Sequence, residues 1–160
     1  MRAAILTIST SRAAGQGGDE SGDALTGLAR SLGAEIAGRE VIPDEPELIS
    51  ARLIHWSDVE GCDLVLTTGG TGFGLSDLTP EATRAVIERE APGIPEAMRA
   101  ASRPHTRHWM LSRAVAGIRG STLIVNFPGS PKSIGEAGEA IAAALPHALE
   151  LVAGKRNAHH

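Results

Sequence analysis

The chain has 160 residues, of which 42% are hydrophobic and 2% aromatic, and its net charge is −4. That length favours a single domain, which we place at residues 1–160 with an ordered core of about 3–153. The acidic balance and the scarcity of aromatic side chains argue against a nucleic-acid-binding protein, and no apolar run is long enough for a membrane span. The lone cysteine, Cys62, fits a reducing, cytoplasmic compartment.

Apolar periodicity predicts strands that alternate with helices. In the first half, we predict strands at 3–9, 36–42 and 64–66, helices at 21–32 and 46–56, and a flexible loop at 11–18. In the second half, we predict helices at 79–90, 94–101, 131–145 and 146–152, strands at 114–118 and 123–127, and an irregular segment at 103–112. The terminal pair His159–His160 is excluded from this interpretation. The order predicts an α/β fold, a three-layer, doubly wound, mostly parallel sheet with helices on both faces.

Two helix starts carry capping signals. Thr79 precedes Pro80 and is predicted to cap its helix with a hydroxyl. Ser133 and Glu136 have the spacing of a capping box. Both helices are therefore expected to begin directly after a strand-to-helix loop.

A glycine-rich loop, Thr67–Gly74, follows the apolar strand predicted at 64–66. Glycines let the backbone approach a ligand closely, and successive amides can form an anion-binding nest. Ligands of open α/β sheets bind at the carboxyl ends of strands, where this loop is expected to lie. The residues predicted to bind phosphate are Thr68, Gly69, Gly70, Thr71 and Gly72. The alternative is a merely flexible connection, and the loop matches neither a P-loop nor a dinucleotide-binding glycine pattern.

Two aspartates lie where predicted strands end. Asp44 follows the second strand, and Asp77 follows the glycine-rich loop. Carboxylates beside a phosphate site commonly hold a divalent cation, most often Mg²⁺. We therefore predict that Asp44 and Asp77 are Mg²⁺ ligands and catalytic residues. The alternative is that each makes only local turn or cap hydrogen bonds.

A second strand-to-helix loop, Phe127–Ser133, also carries groups that suit a phosphate. Gly129 allows close approach, Ser130 offers a hydroxyl, and Lys132 offers an ammonium group. Arg113 adds a cation that can clamp an anion with two hydrogen bonds. The alternatives are a proline-rich turn with a helix cap and a solvated surface arginine.

Motifs spread from about residue 4 to residue 152 recur together in one known family. They are Leu6–Ser9, Asp19–Gly22, Ile42–Glu45, Asp63–Gly72, Asp77–Thr83, Pro92–Arg99, Leu111–Arg113 and Asn126–Lys132. In this order they resemble the molybdopterin adenylyltransferase family, the MogA/MoaB type that includes the G domains of gephyrin. The combination of Thr-Thr-Gly-Gly-Thr-Gly with Asp-x-Thr-Pro-Glu is quite specific to it.

The resemblance implies an enzyme of molybdenum cofactor biosynthesis that uses Mg²⁺ to transfer AMP from ATP to the terminal phosphate of molybdopterin, releasing pyrophosphate. It implies that Asp44 and Asp77 are needed for activity and that the glycine-rich loop cradles nucleotide phosphates. The residues that it implies on the molybdopterin side are Glu96, Ser112, Arg113, Pro128, Gly129, Ser130 and Lys132. It also implies a cytoplasmic homotrimer, with hexamers in some branches, and a downstream molybdate-insertion enzyme as a partner.

The chain departs from several relatives after the first strand, where Thr10-Ser11-Arg12 replaces Ser-Asp-Arg. If that acid contributes to nucleotide binding, the contribution is either missing here or supplied by Asp19. One alternative function is a non-catalytic molybdopterin-binding paralogue of the same fold, a carrier or scaffold. Another is a nucleotide hydrolase of the competence-damage type, whose members read Gly-Gly-Leu-Gly near Gly70–Gly72. The retention of Asp44 and Asp77 favours the enzyme over the carrier.

Overall fold

A computed structural model describes residues 1–154, so the terminal pair His159–His160 lies outside the described residues. Within them the centre is a six-stranded sheet in the order β2-β1-β3-β6-β5-β4. The strands are β1 (Arg2–Ile8), β2 (Glu35–Ile42), β3 (Leu64–Thr68), β4 (Arg89–Glu90), β5 (Ala116–Arg119) and β6 (Thr122–Phe127). Strands β2, β1, β3 and β6 run parallel to one another. Strand β5 pairs antiparallel with β6, and β4 pairs antiparallel with β5. The predicted mostly parallel sheet is confirmed.

Helices cover both faces of the sheet, as the alternation of elements predicts. They are α1 (Thr10–Ala13), α2 (Glu20–Ser31), α3 (Pro46–Ile54), α4 (Thr79–Arg84), α5 (Gly93–Ser102), α6 (Pro131–Ala142) and α7 (Leu145–Val152). Helix α3 runs on into a π-helical turn at His55–Val59, and a 3-10 turn spans Trp109–Leu111. The three-layer α/β architecture is therefore confirmed.

The core divides into two parts because successive side chains of a strand point to opposite faces. Leu64 and Leu66 of β3 pack with Leu25 of α2 in one cluster. Val65 packs with Ile49 of α3 in the other. Every residue of β3 is buried, which explains why this strand is apolar without alternation. The position at which β3 ends is therefore fixed by packing on both sides.

The helix predicted at 79–90 is wrong in its second half. Helix α4 ends at Arg84, and Arg89–Glu90 pairs with β5 as the antiparallel edge strand β4. The backbone N–H of Glu88 already donates to the carbonyl oxygen of Ile118 at 2.8 Å. The open edge of β5 thus offers hydrogen bonds that local helix propensity does not reveal.

Both predicted caps are also wrong in detail. Leu78 is the N-cap residue of α4, and Thr79 is the first helical residue, whose Oγ1 donates to the carbonyl oxygen of Gly69 at 2.9 Å. Helix α6 begins one turn earlier than its predicted box, because Ser130 Oγ accepts from the backbone N–H of Ser133 at 3.2 Å. The Thr79 hydroxyl therefore serves the adjoining loop, whereas the Ser130 hydroxyl caps the helix.

The loop predicted at 11–18 contains an unexpected helical turn, α1. Ser9 is its N-cap residue and accepts from the backbone N–H of Arg12 at 3.3 Å. Parallel strands end at the same edge of a sheet, so the segments after β1, β2, β3 and β6 meet there. This edge carries the candidate site.

Candidate phosphate-binding site at the carboxyl edge of the sheet

The glycine-rich loop after β3 has its carbonyl groups satisfied inside the protein. Thr79 donates from Oγ1 to the Gly69 carbonyl and from its backbone N–H to the Gly70 carbonyl, at 2.9 and 3.1 Å. Arg113 donates from its backbone N–H to the Thr71 carbonyl and from Nε to the Gly72 carbonyl, both at 2.8 Å. Four successive carbonyl groups are thereby fixed by two residues distant in sequence.

The backbone amides of the same loop are used differently. Within residues 1–154, the N–H groups of Gly70, Thr71 and Gly72 donate to no protein acceptor, whereas Gly69 N–H donates to the Phe127 carbonyl at 3.3 Å. These three neighbouring amides have no internal acceptor, and the carbonyl groups of the same loop are held in place. Together the amides form a nest suited to an anion.

Gly69 and Gly70 are required by the shape of this loop. Their φ angles are +94° and +67°, a region that side chains disfavour. A methyl group would lie 2.3 Å from the Ile8 carbonyl oxygen at Gly69, and 2.3 Å from Thr79 Oγ1 at Gly70. The glycines therefore mark a defined backbone conformation and not simple flexibility.

Asp44 lies beside this loop, as the sequence predicts for a phosphate-site carboxylate. Its Oδ2 accepts from the backbone N–H and from Oγ1 of Thr10, at 3.0 and 2.9 Å. Its Oδ1 would lie 3.4 Å from a methyl group on Gly70 and accepts no hydrogen bond within the described part of the chain. One carboxylate oxygen thus anchors the side chain, and the other faces the loop.

Asp77 lies against a later part of the same loop, at Gly72 and Gly74. Its Oδ2 accepts from Gly74 N–H at 2.8 Å, and its own N–H donates to the Gly74 carbonyl at 3.1 Å. The same oxygen would lie 2.9 Å from a methyl group on Gly72. Asp77 therefore does make the local turn bond that was the alternative interpretation, while its carboxylate remains against the loop. Asp44 and Asp77 flank the same stretch of backbone.

Arg113 is committed to the glycine-rich loop. Besides its bond to Gly72, its Nη2 donates to the carbonyl oxygen of Asp77 at 2.5 Å, and Nη1 pairs with the Glu81 carboxylate. The hydrogen bond from Arg113 lowers the pKa of Glu81, and Glu81 in turn raises the pKa of Arg113. The guanidinium group braces the loop, and its predicted contact with molybdopterin remains a prediction.

The second loop, after β6, lies alongside the first. Thr68 Oγ1 donates to the Pro128 carbonyl at 2.6 Å, and Ser21 Oγ donates to the Gly129 carbonyl, also at 2.6 Å. A methyl group on Gly129 would lie 3.9 Å from the Cα of Gly69. The structure thus brings Pro128 and Gly129 together with the phosphate-binding residues predicted from the first loop.

A cavity of about 110 Å³ adjoins this edge between α5, the 3-10 turn and the start of α6. Ser112 and Pro128 line it, as do the unpredicted Arg99 and Trp109. Two predicted residues lie elsewhere: Lys132 lines a separate surface groove beside His105, and Glu96 is exposed on α5. Their predicted roles remain predictions.

Asp19 was considered as a replacement for the acid missing after β1. In the structure its carboxylate makes hydrogen bonds and an ion pair within the protein. Its Oδ1 accepts from Thr7 Oγ1 and Gly22 N–H, and its Oδ2 pairs with Arg39 at 2.9 Å. Burial raises the pKa of Asp19, but the hydrogen bonds from Arg39, Thr7 and Gly22 outweigh burial and lower the pKa. Asp19 is thus the N-cap residue of α2.

Sequence reasoning missed a chain of buried polar groups that supports the first loop. Asn126 Nδ2 donates to Thr67 Oγ1 and Thr83 Oγ1, and Thr83 Oγ1 donates to the Thr79 carbonyl. Thr79 then holds Gly69. The signals were a lone amide in the otherwise apolar strand β6 and two threonines one helical turn apart.

No group of three or more His, Cys, Asp or Glu side chains in residues 1–154 is arranged to hold a metal ion. Over the same residues, no helix is both long and apolar enough to cross a membrane.

The glycine-rich loop, the two carboxylates beside it and the adjoining cavity lie together at the carboxyl edge of a doubly wound sheet. This is the arrangement of an α/β domain suited to a phosphorylated ligand. The comparison with family models agrees with this class. The chain belongs to the family described as a probable molybdopterin binding domain, whose model matches residues 4–147.

Individual relatives are similar over most of the chain. The molybdopterin adenylyltransferase of Helicobacter pylori strain J99 is 48% identical over 115 residues, which cover 72% of this chain and 65% of that protein. The Escherichia coli K12 protein of the same name is 42% identical over 126 residues, covering 71% and 65%. The chain thus spans slightly less than two thirds of these curated relatives. The crystal structure of the molybdopterin biosynthesis enzyme MoaB from Thermus thermophilus has a TM-score of 0.90 and 47% identity, covering 96% of this chain and 97% of that one.

Proposed function

We propose that this protein transfers AMP from Mg-ATP to the terminal phosphate of molybdopterin, giving adenylyl-molybdopterin and pyrophosphate. The observation that carries the proposal is the loop after β3, which holds its carbonyls inward and leaves the amides of Gly70, Thr71 and Gly72 to a ligand. The names of the Helicobacter pylori and Escherichia coli relatives supply the reaction class.

The reaction joins two anions. A terminal phosphate oxygen of molybdopterin forms a bond to the α-phosphorus of ATP, the bond from that phosphorus to the bridging oxygen breaks, and pyrophosphate leaves with the electron pair. The attacking oxygen is already ionised, so no strong general base is needed. The protein has to position the two reactants and offset their repulsion. The amides of Gly70–Gly72 donate to the ATP phosphates and fix their orientation.

Asp44 and Asp77 suit a Mg²⁺ site because Mg²⁺ is commonly held by one or two carboxylates together with substrate phosphates. Asp44 has an oxygen free of protein hydrogen bonds in the described residues, and Asp77 lies within reach of the same loop. When bound, Mg²⁺ supplies charge neutralisation at the phosphates. Thr10 and Gly74 keep the two carboxylates aimed at the loop.

The loop after β6 and the adjoining cavity form the molybdopterin side of the site. Pro128 and Gly129 lie next to the first loop, and Ser112 lines the cavity. Ser130 extends this side as the N-cap residue of α6, whereas Lys132, on the first turn of that helix, lines the separate groove beside His105. Molybdopterin bound there would present its phosphate toward Gly69–Gly72, beside the ATP phosphates.

The proposal includes the cellular setting that the family resemblance implies. The protein would act in the cytoplasm as a homotrimer, or as a hexamer, and would pass its product to an enzyme that inserts molybdate. Sedimentation of the purified protein tests the oligomer directly, since a trimer and a hexamer differ twofold in mass.

The test is a reaction of the purified protein with molybdopterin and ATP labelled in its α-phosphate, with and without Mg²⁺. We expect labelled adenylyl-molybdopterin and pyrophosphate in equal amounts, and only when Mg²⁺ is present. Molybdopterin that binds without acquiring label would reject the transferase and support the carrier.

Asp44→Asn and Asp77→Asn provide the matched variants, because each keeps the shape of the side chain and removes its charge. We expect each to abolish turnover while the far-ultraviolet circular dichroism and the melting temperature stay close to wild type. Wild-type turnover by both variants would reject the assignment of these carboxylates.

A further inference from the structure

An apolar groove of about 370 Å³ lies between the start of α5, the end of α6 and α7. Its lining includes Ile94 and Ala97 of α5, Ala140 and Ile141 of α6, and Ala148 of α7. No lining side chain in the described part of the chain is polar or charged. A site for a small molecule normally contains a few polar groups that fix the orientation of the ligand. This groove therefore suits the apolar side chains of a protein better than a metabolite.

The groove lies toward the amino edge of the sheet, away from the phosphate-binding loops. Helix α6 begins directly after β6, at the carboxyl edge, and its length of about 18 Å carries the chain back along the sheet. Helix α7 then shares a surface hollow with Met1 and Asp63, which directly precede β1 and β3. Because both strands begin at the amino edge, α7 and the groove beside it lie at that edge as well.

Four large apolar side chains are exposed at the opposite, carboxyl edge. Phe73 and Leu75 of the glycine-rich loop are 69% and 99% exposed, and Met110 and Leu111 are 58% and 41% exposed. Their two segments are neighbours, because Arg113 follows Leu111 closely and bonds the glycine-rich loop. We call these four side chains the apolar tip. Exposed apolar groups gathered in one region mark a surface that another molecule covers.

The loop part of the apolar tip is presented on a fixed backbone. On one side of Phe73, the carbonyl of Gly72 accepts from Arg113, and on the other side, the N–H of Gly74 donates to Asp77. The exposure of Phe73 is therefore a defined feature of the fold. A fixed backbone also lowers the entropy that the loop would lose when a partner covers the apolar tip.

The surroundings of the apolar tip and of the groove carry opposite charges. No acidic residue occurs between positions 97 and 135, and Arg103 and Arg107 are exposed in the segment that leads to the apolar tip. Beside the groove, Glu96 and Glu139 are exposed next to lining residues. Within residues 1–154 the side chains of Arg107, Glu96 and Glu139 make no ion pair. Complementary charges around an apolar contact favour one partner and one orientation.

We propose that the groove of one subunit receives the apolar tip of a second copy of this chain. The two surfaces lie at opposite edges of the sheet, so they cannot meet within one subunit. A ring of three subunits needs two different surfaces on each subunit, and a head-to-tail contact of this kind supplies them. The contact also places the glycine-rich loop of each subunit at an interface, where assembly braces the backbone that faces the phosphates. The inference rests on the proposed function only for the identity of that ligand, since assembly is measured without substrate.

The test compares the masses of purified variants by sedimentation velocity at several protein concentrations. Leu75→Asp places a charge on the apolar tip, and Ala97→Glu places one in the groove. Both positions are exposed in the single subunit, so each variant should fold, which circular dichroism checks. We expect an oligomeric wild type and two monomeric variants. The control Ala51→Glu alters an exposed alanine of α3, in the helix layer on the other face of the sheet, and should leave the oligomer intact.

Mixing the two variants separates a lost contact from a damaged fold. Leu75→Asp retains an intact groove, and Ala97→Glu retains an intact apolar tip, so the mixture should contain a heterodimer although each variant alone stays monomeric. Ala97 lies at the edge opposite the site of its own subunit. Its replacement should nevertheless lower Mg-ATP affinity about fivefold, at the lower end of couplings between distant sites.

A monomeric wild type, wild-type mass in either variant, or a mixture that remains monomeric would overturn the inference. So would a monomeric Ala97→Glu protein with the Mg-ATP affinity of the wild type. An assembled protein that transfers no AMP would reject the proposed function and leave this inference standing. AMP transfer by a wild type that stays monomeric would do the reverse.

Discussion

The loops after β3 and β6 lie side by side but are held in different ways. In the first, Gly69 and Gly70 have positive φ angles, and Thr79 and Arg113 take up four carbonyls in a row. In the second, hydroxyl groups from outside hold the carbonyls of Pro128 and Gly129, and the backbone stays in ordinary regions. The first loop therefore presents fixed amides, whereas the second presents side chains.

The sharpest way to break this comparison is to add one methyl group to each loop. At Gly70 an alanine has a positive φ angle and lies 2.3 Å from Thr79 Oγ1, so Gly70→Ala should destabilise the protein by about 1–3 kcal/mol. The displaced amides should lower kcat/KM for AMP transfer at least about a hundredfold. Urea unfolding and pyrophosphate release measure the two effects.

Gly129→Ala is the matched control in the second loop. Its methyl group would lie 3.9 Å from the nearest atom, an ordinary contact. We expect a change of less than about 0.5 kcal/mol in the free energy of unfolding. Equal losses in the two variants would show that the loops are not held differently.

A smaller effect is expected from Arg113→Lys, which keeps the charge but cannot bond Gly72, Asp77 and Glu81 together. Mg-ATP affinity should fall about tenfold, or about 1.4 kcal/mol, because the loop loses part of its support. Calorimetry measures the change. A control, Arg12→Lys, alters a half-buried arginine of α1 that holds none of these carbonyls. Unchanged Mg-ATP affinity in Arg113→Lys would show that Arg113 does not support the loop for nucleotide binding.

The smallest effect concerns Asp19, which caps α2 and thereby supports the Ser21 contact to the second loop. The pKa of Asp19 is lowered in the folded protein, so its contribution to stability is present above the usual value of 3.8 and is lost as the pH falls through the lower folded value. Both Asp19 and Arg39 are partly exposed, so the contribution should stay below about 1 kcal/mol.

This pH dependence is measured by urea unfolding between pH 5 and the acid limit of folding, at roughly half-unit steps. Arg39→Gln should flatten the part of the profile below 3.8, because the strongest hydrogen bond to the charged form is gone. An identical profile in Arg39→Gln would exclude the Asp19–Arg39 pair as its source.

The sequence was sufficient for five of the six strands in the described sheet, because apolar strands such as Leu64–Thr68 are recognisable without knowing their neighbours. It was insufficient where a distant segment decides the outcome. The end of α4 at Arg84 depends on pairing with β5, whereas local propensity alone favours a longer helix. The start of α6 at Pro131 was predicted, but the spacing of Ser133 and Glu136 misplaced its cap, which is Ser130.

The candidate site likewise combines features that the sequence predicts with features that only the structure shows. The glycine-rich loop, Asp44 and Asp77 were predicted because each follows a strand, and parallel strands end at one edge. Three supporting hydrogen bonds were not predicted: Thr79 to Gly69, Arg113 to Gly72, and Thr10 to Asp44. They join residues 10 to 41 positions apart, and periodicity carries no signal for such contacts. Trp109 and Arg99 line one cavity at this edge, and only the structure shows that they share it.

The most direct test of the central claim follows the backbone amide resonances of Gly70, Thr71 and Gly72 during a titration with Mg-ATP. We predict that all three shift together, with one dissociation constant that equals the calorimetric value, and that Asp44→Asn and Asp77→Asn weaken the response. Saturating Mg-ATP that leaves these three resonances in place while moving others would contradict the account.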